Sequence, residues 1–189
     1  PFNDQYELIL ASGEEGFLLE EARSLGIRTY LIDNLQRNLS PTNDYKAYKE
    51  IVSVLKKSRP DLVHCHSSKA GILGRLAAHR LGIKTVFTAH GWSFAEGTPL
   101  SRTLSGLLPE RLPAYWTDYM ITGSDTDRDL AIRYRISRPE KISTIHNGIA
   151  DQPVSKVNNN SGKPVRLIMV ARFAAPKYYA QLIDAAATI

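Results

Sequence analysis

Short apolar runs and helix-spaced apolar positions alternate along most of this chain. Short segments rich in apolar and β-branched residues, which predict strands, occupy residues 6–12, 27–32, 61–67, 83–89, 119–122 and 142–145. Apolar residues at helical spacing predict helices over residues 16–25, 44–58, 69–81 and 124–134. Strands that alternate with helices of about this length indicate a parallel sheet that is covered on both faces. The pattern therefore predicts the α/β class with a doubly wound parallel sheet.

Polar residues mark where two of these helices begin. Capping residues matter because the first amides of a helix have no partner within it. Asp44 is the predicted N-cap of the second helix, and the polar residues 33–43, which include Pro41, are predicted to form a loop. Ser124 is the predicted N-cap of the fourth helix, with acidic residues in the turn that follows it.

The composition changes after residue 150. Residues 1–150 predict one α/β domain, and residues 151–164, rich in Asn and without apolar periodicity, are typical of a linker. Residues 165–189 contain a predicted strand over 165–170 and a predicted helix over 179–189, which indicate the start of a second α/β unit. One strand and one helix bury too little surface to form a core of their own.

Composition and charge narrow the range of partners. The chain has 24 Lys and Arg against 19 Asp and Glu, a net charge of +5 that suits an anionic partner such as a nucleotide or a phospholipid surface. It has no long basic run and no basic surface with interleaved aromatic residues, so we expect no nucleic-acid partner. The single cysteine, Cys65, cannot form an internal disulfide, and the N-terminus lacks the apolar core of a signal peptide. We therefore expect a cytoplasmic protein.

Residues 99–116 combine large apolar residues with Arg102 and Arg111. Such a segment either lies in the interface of a membrane or packs as a helix against the sheet. Pro109 and Pro113 argue against one long helix, because proline interrupts the helical hydrogen-bond pattern. Together with the net positive charge, this segment supports the hypothesis of peripheral contact with the inner face of an anionic membrane.

Ligands bind beyond the carboxyl ends of strands in a parallel sheet, so the residues after each strand are candidates for a site. After the third predicted strand, the candidates are His66, Ser67, Ser68, Lys69 and Gly71. The first amides of the next helix, together with Lys69, can hold an anionic or hydroxyl-rich ligand, or Ser67 can simply cap that helix. His90 follows the fourth strand, where a histidine can relay a proton, bind a sugar hydroxyl, or only cap the strand.

Histidines two positions apart on one strand face are one pattern of metal ligation, and His64 and His66 have this spacing. No carboxylate or cysteine with ligand spacing accompanies them, so we expect no metal and assign His64 to the core as a hydrogen-bonded residue. Cys65 points to the opposite face and is expected to be a buried, small apolar residue.

Two cations follow the predicted strand beyond the linker. Arg172 and Lys177 lie five positions apart on the turn that leads into the last helix. They can clamp a diphosphate together with the N-terminus of that helix, or they can be ordinary loop cations.

Four segments, taken together and in this order, resemble the retaining glycosyltransferases of family 4, which have the two-domain GT-B architecture. They are residues 61–71, 88–92, 145–149 and 170–177. These segments extend over most of the chain. The resemblance is greatest to bacterial enzymes that build capsular polysaccharide, exopolysaccharide and lipid-linked sugars.

The resemblance implies a role for each group of residues. Residues 66–71 would border the acceptor pocket, His90 would be catalytic and lie near the transferred sugar, and Asn147 and Gly148 would form the hinge after a Rossmann-like N-terminal domain. Arg172 and Lys177 would bind the diphosphate of a nucleotide-sugar donor, expected to be UDP-linked, and stabilise it as it leaves. The resemblance implies a lipid-linked or polysaccharide acceptor. It also implies that the reaction needs neither a metal nor a cofactor.

The chain also departs from the family pattern. The family's first strand and its glycine-rich loop should precede Tyr6, and the rest of the donor-binding domain should follow Ile189. Tyr178 and Tyr179 follow Lys177, where a small or polar residue would be expected. The resemblance therefore implies that this chain does not transfer sugar by itself.

Two other functions fit the same pattern. A nucleotide-sugar epimerase can share this architecture, but its active site needs acidic residues in the cleft. No strand end before the linker carries Glu, and Asp125 is the only carboxylate close to one. The second is a non-catalytic module that binds glycan or lipid.

Overall fold

A computed structural model of the chain describes residues 5–94, 100–151, 166–171 and 178–188. The chain divides into two compact units, Pro1–Gly148 and Ile149–Ile189. This division lies next to Asn147 and Gly148, whose role as a hinge stays a prediction, as do the domain limits given above. Most of the predicted linker lies outside the described residues.

The first unit alternates strands and helices along the chain, as the apolar pattern predicts. Its strands are β1 (Ile9–Ser12), β2 (Arg28–Leu31), β3 (Leu62–His66), β4 (Lys84–Ala89), β5 (Tyr119–Thr122) and β6 (Ile142–Thr144). Its helices are α1 (Phe17–Ser24), α2 (Pro41–Ser58), α3 (Ser68–Arg80), α4 (Leu100–Trp116) and α5 (Asp125–Arg133), and a 3-10 turn (Pro139–Lys141) precedes β6.

All the strand pairs of this unit are parallel, which confirms the α/β class. The strands lie in two sheets rather than in one: β1 pairs with β2, and a second sheet has the order β3-β4-β5-β6. In the second sheet each strand lies beside the next one in the chain. Because connections between parallel strands are right-handed, this order places α3, α4 and α5 on the same face.

The core of the first unit lies mainly under these three helices. Its largest cluster joins the loop after β4 to α4, β5, α5 and β6, through Phe94, Leu107, Ala114, Met120, Ala131, Ile136 and Ile142. A second cluster packs α2 on α3 through Leu55, Ala77 and Ala78. Cys65 is a free, buried cysteine that packs with Phe87, which confirms the prediction for it.

The opposite face of β3 is exposed, and it carries His64 and His66. The prediction that His64 belongs to the core is therefore wrong, although its side chain is hydrogen-bonded as predicted. The reason is the strand order, because helices that all cross on one side leave the other side of β3 open to solvent.

Helix α2 begins earlier than predicted. Ser40 is its N-cap, with its hydroxyl accepting from the amide of Asn43, and Pro41 is its first residue. Proline suits this position, because the first amide of a helix needs no partner and the proline φ is already helical. Asp44 lies inside the first turn, where its carboxylate accepts a hydrogen bond from the amide of Ser40. The cap predicted for α5 is confirmed, since the Ser124 hydroxyl accepts from the Asp127 amide.

Helix α4 runs without a break through Pro109 and Pro113, so the prediction that these residues prevent one long helix is wrong. A proline inside a helix costs about 3 kcal/mol, which packing can outweigh. Here Pro113 is buried, and Leu107 and Ala114 belong to the main core cluster. Among the described residues, no helix is both long and apolar enough to span a membrane.

In the second unit the described residues form helix α6 (Tyr179–Ala186), close to the predicted helix. The predicted strand is absent from residues 166–170, which are described and lie outside any sheet. Leu167, Ile168 and Val170 are exposed. A strand needs a neighbour for its amides and carbonyls, and the described part of this unit supplies no strand to pair with.

Candidate active site

Two of the predicted site residues meet at the carboxyl edge of the four-stranded sheet. His66 is the last residue of β3, and His90 directly follows β4. Because β3 and β4 are paired with His66 opposite Thr88, the two rings lie side by side. Nδ1 of His66 is 3.1 Å from Nε2 of His90, and the ring centroids are 5.4 Å apart and nearly parallel.

His64 extends this pair into a row of three imidazoles. The period-two alternation of β3 places His64 on the same face as His66, and their ring centroids are 4.3 Å apart. Nε2 of His64 lies 2.7 Å from the hydroxyl of Thr88 on β4. Thr88 thereby fixes the first ring of the row, a role that no sequence pattern indicated.

The surroundings of His64 and His66 favour the uncharged form of these two rings. Partial burial lowers the pKa of His64, and the neighbouring His90 lowers it further. Partial burial also lowers the pKa of His66, with His64 and His90 adding to the effect. In a neutral pair, one ring nitrogen of the 3.1 Å contact must donate and the other must accept. His66 therefore determines whether Nδ1 of His90, the nitrogen that faces away from the contact, accepts a proton or donates one.

These lowered pKa values predict that the free energy of unfolding falls as the pH decreases. Between the folded pKa and the unfolded value of about 6.5, the unfolded state binds more protons, so stability rises with pH through this range and levels off above it. Urea unfolding from about pH 5 to 8 should show this slope, and the H64Q/H66N variant should reduce it. A slope that is unchanged in the variant would assign the pH dependence to other groups.

The turn between β3 and α3 has a strained backbone at a predicted site residue. Ser67 has φ 63° and ψ 161°, a conformation that non-glycine residues rarely adopt. Ser67 occupies the N-cap position of α3, as one interpretation predicted, but its hydroxyl makes no capping hydrogen bond. The first amides of α3 therefore have no side-chain cap, and they lie next to His66 at the same edge of the sheet.

Lys69 and Gly71, two of the predicted acceptor-binding residues, also have roles in the fold itself. The Lys69 ammonium lies 2.6 Å from a carboxylate oxygen of Asp44 and contacts the carbonyl of Asn38, so it ties α3 to the start of α2. A Cβ at Gly71 would lie 2.5 Å from Phe87 on β4, which explains why glycine is needed there. The acceptor-binding roles of these two residues, and those of Ser67 and Ser68, stay predictions.

The loop after His90 is anchored by Trp92, to which the sequence assigned no individual role. Gly91 has φ 127°, a conformation open to glycine, and it turns the chain away from β4. The indole of Trp92 donates to the carbonyl of Asp127 over 2.8 Å and stacks on Phe94 with centroids 4.9 Å apart. These contacts fix the loop against α5 and hold His90 in place.

The same edge continues beyond β5 and β6. Nδ1 of His146 lies 3.1 Å from the carbonyl of Gly123, which joins the ends of these two strands. Asn147 is the next residue, and it is exposed. Arg172 and Lys177 lie outside the described residues. Within the described part of the chain, no group of three or more His, Cys, Asp or Glu side chains is placed to hold a metal ion.

Comparison with known proteins identifies the family. The family model for Glycosyltransferase Family 4 matches residues 4–152, which include the histidine row and the edge beyond β6. The chain belongs to Glycosyltransferase Family 4. This confirms the resemblance inferred from the four sequence segments.

A curated relative is a glycosyltransferase, and solved structures share the fold of the chain. The chain is 34% identical over 148 residues to the UDP-Gal:alpha-D-GlcNAc-diphosphoundecaprenol alpha-1,3-galactosyltransferase of Escherichia coli, with 78% of the chain aligned. It spans 38% of that relative's length. The structure of Anabaena HepE in complex with UDP and glucose is similar to this chain, with 16% sequence identity and a TM-score of 0.55. The match covers 75% of this chain and 37% of the HepE chain.

The fold alone does not separate family 4 enzymes from epimerases. A UDP-N-acetylglucosamine 2-epimerase structure is also similar to this chain, with 16% sequence identity and a TM-score of 0.54. The match covers 71% of this chain and 37% of the epimerase chain. Both structural matches show a Rossmann-like, GT-B type fold. The family model and the sequence identity to the transferase are what distinguish the two classes here.

Proposed function

We propose that the full-length protein is a glycosyltransferase that moves a sugar from a nucleotide donor to a lipid-linked or polysaccharide acceptor in bacterial surface glycan synthesis. The observation that carries this proposal is the contact between His66 and His90 at the carboxyl edge of a family 4 sheet. A UDP-linked donor and a diphosphate-lipid acceptor are supported by the names of the relative and of the UDP-bound structure.

In this proposal the described unit forms the acceptor side of the cleft. His90 presents Nδ1 to the transferred sugar or to the acceptor hydroxyl, and His66 holds its ring and selects its tautomer. The first amides of α3 are free to bind acceptor hydroxyls or phosphate next to His66. Ser67 and Ser68 are exposed at the same place and can add their hydroxyls.

Arg172 and Lys177 act on the donor side of the proposed reaction. Negative charge grows on the diphosphate as the glycosidic bond breaks, and fixed cations lower the energy of that state. We propose a retaining reaction without a metal or a cofactor, because the two cations supply the positive charge that the leaving group needs. The enzyme would act in the cytoplasm, and Asn147 and Gly148 would form the hinge before the donor-binding part.

The epimerase alternative rests on the shared fold. It needs carboxylates in the cleft, and the described acids after β5 are Asp125 and Asp127 in the first turn of α5. The carboxylate of Asp127 accepts from the Ser124 hydroxyl over 2.8 Å and serves the helix cap. Asp127 is thus committed to the helix cap, while the family model and the identity to the galactosyltransferase support the transferase.

Thermal unfolding of the full-length protein with UDP, GDP, ADP and their sugars tests the proposed function. A nucleotide at about 100 times its Kd should stabilise the protein by about 2.7 kcal/mol, a shift of several degrees. R172A and K177A should lose the shift, whereas R166A, which removes an exposed cation before the same turn, should keep it. No shift with any nucleotide would support a non-catalytic binding module. Conversion of a UDP-sugar to its epimer without transfer would support the epimerase.

A further inference from the structure

Three residues of α3 lie directly on the inner face of β3 and β4. A Cβ at Gly71 would lie 2.5 Å from the ring of Phe87, and a Cβ at Gly74 would lie 2.7 Å from Sγ of Cys65. The guanidinium of Arg75 lies 3.9 Å from the centroid of the Phe87 ring. Positions three and four residues apart share one side of a helix. Because Cys65 and Phe87 are paired in the sheet, this side of α3 is fixed against both strands close to the points where they end.

Hydrogen bonds connect Arg75 to the strained turn at the start of α3. Nε of Arg75 donates to the carbonyl of Gly71 over 2.8 Å, and the amide of Gly71 donates to the carbonyl of Ser67 over 2.9 Å. A strained backbone persists only where its surroundings determine it, and Ser67 has a φ of 63°. Arg75 therefore helps to hold residues 67–71, which include the predicted acceptor-binding residues and directly follow His66.

The guanidinium is in turn held by groups at and after α4. Nη2 of Arg75 donates to the carboxylate of Glu110, and Nη1 donates to the hydroxyl of Thr117 over 3.3 Å. That hydroxyl donates to the carbonyl of Pro113 over 2.8 Å. Arg75, Glu110 and Thr117 are all buried. These bonds fix the orientation of the guanidinium, and they connect α4 to the turn at the start of α3.

Stability alone does not explain why a charged pair occupies this place. A buried ion pair loses the hydration of both charges, and apolar residues of similar volume often stabilise a fold as well or better. What a guanidinium adds is geometry, because its planar group donates in several fixed directions and stacks on aromatic rings. An apolar side chain in place of Arg75 would fill the volume without holding the carbonyl of Gly71.

We propose that Arg75 is a positioning residue that determines where residues 67–71 lie relative to His90. It acts through two contacts, the carbonyl of Gly71 in the turn and the ring of Phe87, three positions before His90. This inference deepens the proposed function and rests on it, since the turn is the proposed acceptor-binding segment. Loss of Arg75 therefore affects the use of the acceptor, and not that of the nucleotide sugar, which binds elsewhere in that proposal.

Kinetics of the full-length R75M/E110L protein test this role, because the double variant removes the guanidinium without leaving a buried charge. The probes are UDP-galactose and UDP-glucose as donors and a synthetic N-acetylglucosaminyl diphosphate lipid as acceptor. We expect kcat/KM for the acceptor to fall by about 10–10²-fold, since small displacements of positioning groups slow a reaction strongly. The KM for the donor should stay nearly constant. An unchanged kcat/KM for the acceptor would overturn the proposal.

R75K and L55A separate positioning from stability. Lysine keeps a cation next to Glu110 but has no Nε donor for the carbonyl of Gly71 and no planar group for Phe87. R75K should therefore lose acceptor efficiency as the double variant does. L55A removes buried apolar volume between α2 and α3, so it should lower the stability and leave the acceptor kinetics unchanged at a temperature where it is folded. Equal losses in L55A and R75M/E110L would show a merely structural role for Arg75.

Hydrogen exchange of the full-length protein gives a readout that does not depend on activity. In R75M/E110L the amides of residues 71–75 should exchange faster, whereas those of β5 and α5 should exchange as in the wild type. Unchanged exchange at residues 71–75 would overturn the proposal. If the wild type neither binds a nucleotide nor transfers a sugar, but exchange at residues 71–75 rises in the variant, Arg75 positions the turn and the transferase function fails.

Discussion

In the proposed transfer reaction of the full-length protein, we expect H90A to lower kcat by about 10²–10⁴-fold, the range typical of a lost general acid or base. H66A will lower it less, because His66 acts only through His90. The structure allows a sharper test, since the contact joins Nδ1 of His66 to Nε2 of His90. An asparagine amide can take the place of Nδ1, whereas a glutamine amide extends to the place of Nε2. H66N should therefore restore much of the activity that H66A loses, and H66Q should not.

The kinetic pattern distinguishes a positioning role for His66 from a merely structural one. Loss of the contact should change kcat and the pH dependence of the reaction, with the KM for the nucleotide sugar nearly constant, because the donor binds elsewhere in the proposal. H79Q is the control, since His79 lies at the far end of α3 beside Trp116. If H66N and H66Q were equally active, the contact with His90 would play no part in catalysis.

The sequence predicted the His90 and His66 site only in part, and the reason lies in the sheet register. Alternation along β3 is local, so the shared face of His64 and His66 follows from their spacing. The contact between His66 and His90 spans 24 positions and depends on how β3 pairs with β4. No local pattern fixes that register, and the hydrogen bond from His64 to Thr88 has the same origin.

The fold was predictable where local preferences and packing agree. The bounds of β5 and the Ser124 cap of α5 match the prediction, because turn and cap residues flank these elements. Prediction failed where packing overrides preference, as in the unbroken helix through Pro109 and Pro113. It also failed for the predicted strand in its described part, residues 166–170, whose apolar residues lack a described partner strand. An apolar segment indicates that burial is favourable, but it does not show whether a neighbouring strand is present to pair with it.

The burial of Arg75 could not be predicted from the sequence, because no pattern in α3 distinguishes it from an exposed arginine. Arg75 is 1% exposed, and its partner Glu110 is 4% exposed and lies 35 positions away on α4. Nε of Arg75 donates to the carbonyl of Gly71 over 2.8 Å, and Nη1 donates to the Thr117 hydroxyl over 3.3 Å. The guanidinium also lies over the ring of Phe87, 3.9 Å from its centroid. One charged side chain thereby joins α3, β4 and α4.

R75M will destabilise the protein by about 3–5 kcal/mol, the usual cost of leaving one partner of a buried ion pair unpaired. Methionine keeps most of the apolar volume, so the loss reflects the uncompensated charge of Glu110 rather than a cavity. The R75M/E110L variant removes both charges and should recover most of the stability. Urea unfolding of the three proteins measures the coupling. R23M is the control, because Arg23 and Glu15 form a pair of which both members are about half exposed, and its effect should be small.

The pH dependence of R75M follows from the same pair. Burial raises the pKa of Glu110, and Arg75 opposes that increase in the wild type. Without Arg75 the pKa rises further, so the carboxyl binds a proton at a higher pH and the buried charge disappears. The deficit of R75M should therefore be largest near neutral pH and decrease as the pH falls. A deficit that is constant with pH, together with no recovery in R75M/E110L, would show that Arg75 stabilises the fold through its contacts with Phe87, Gly71 and Thr117 and not through its charge pair with Glu110.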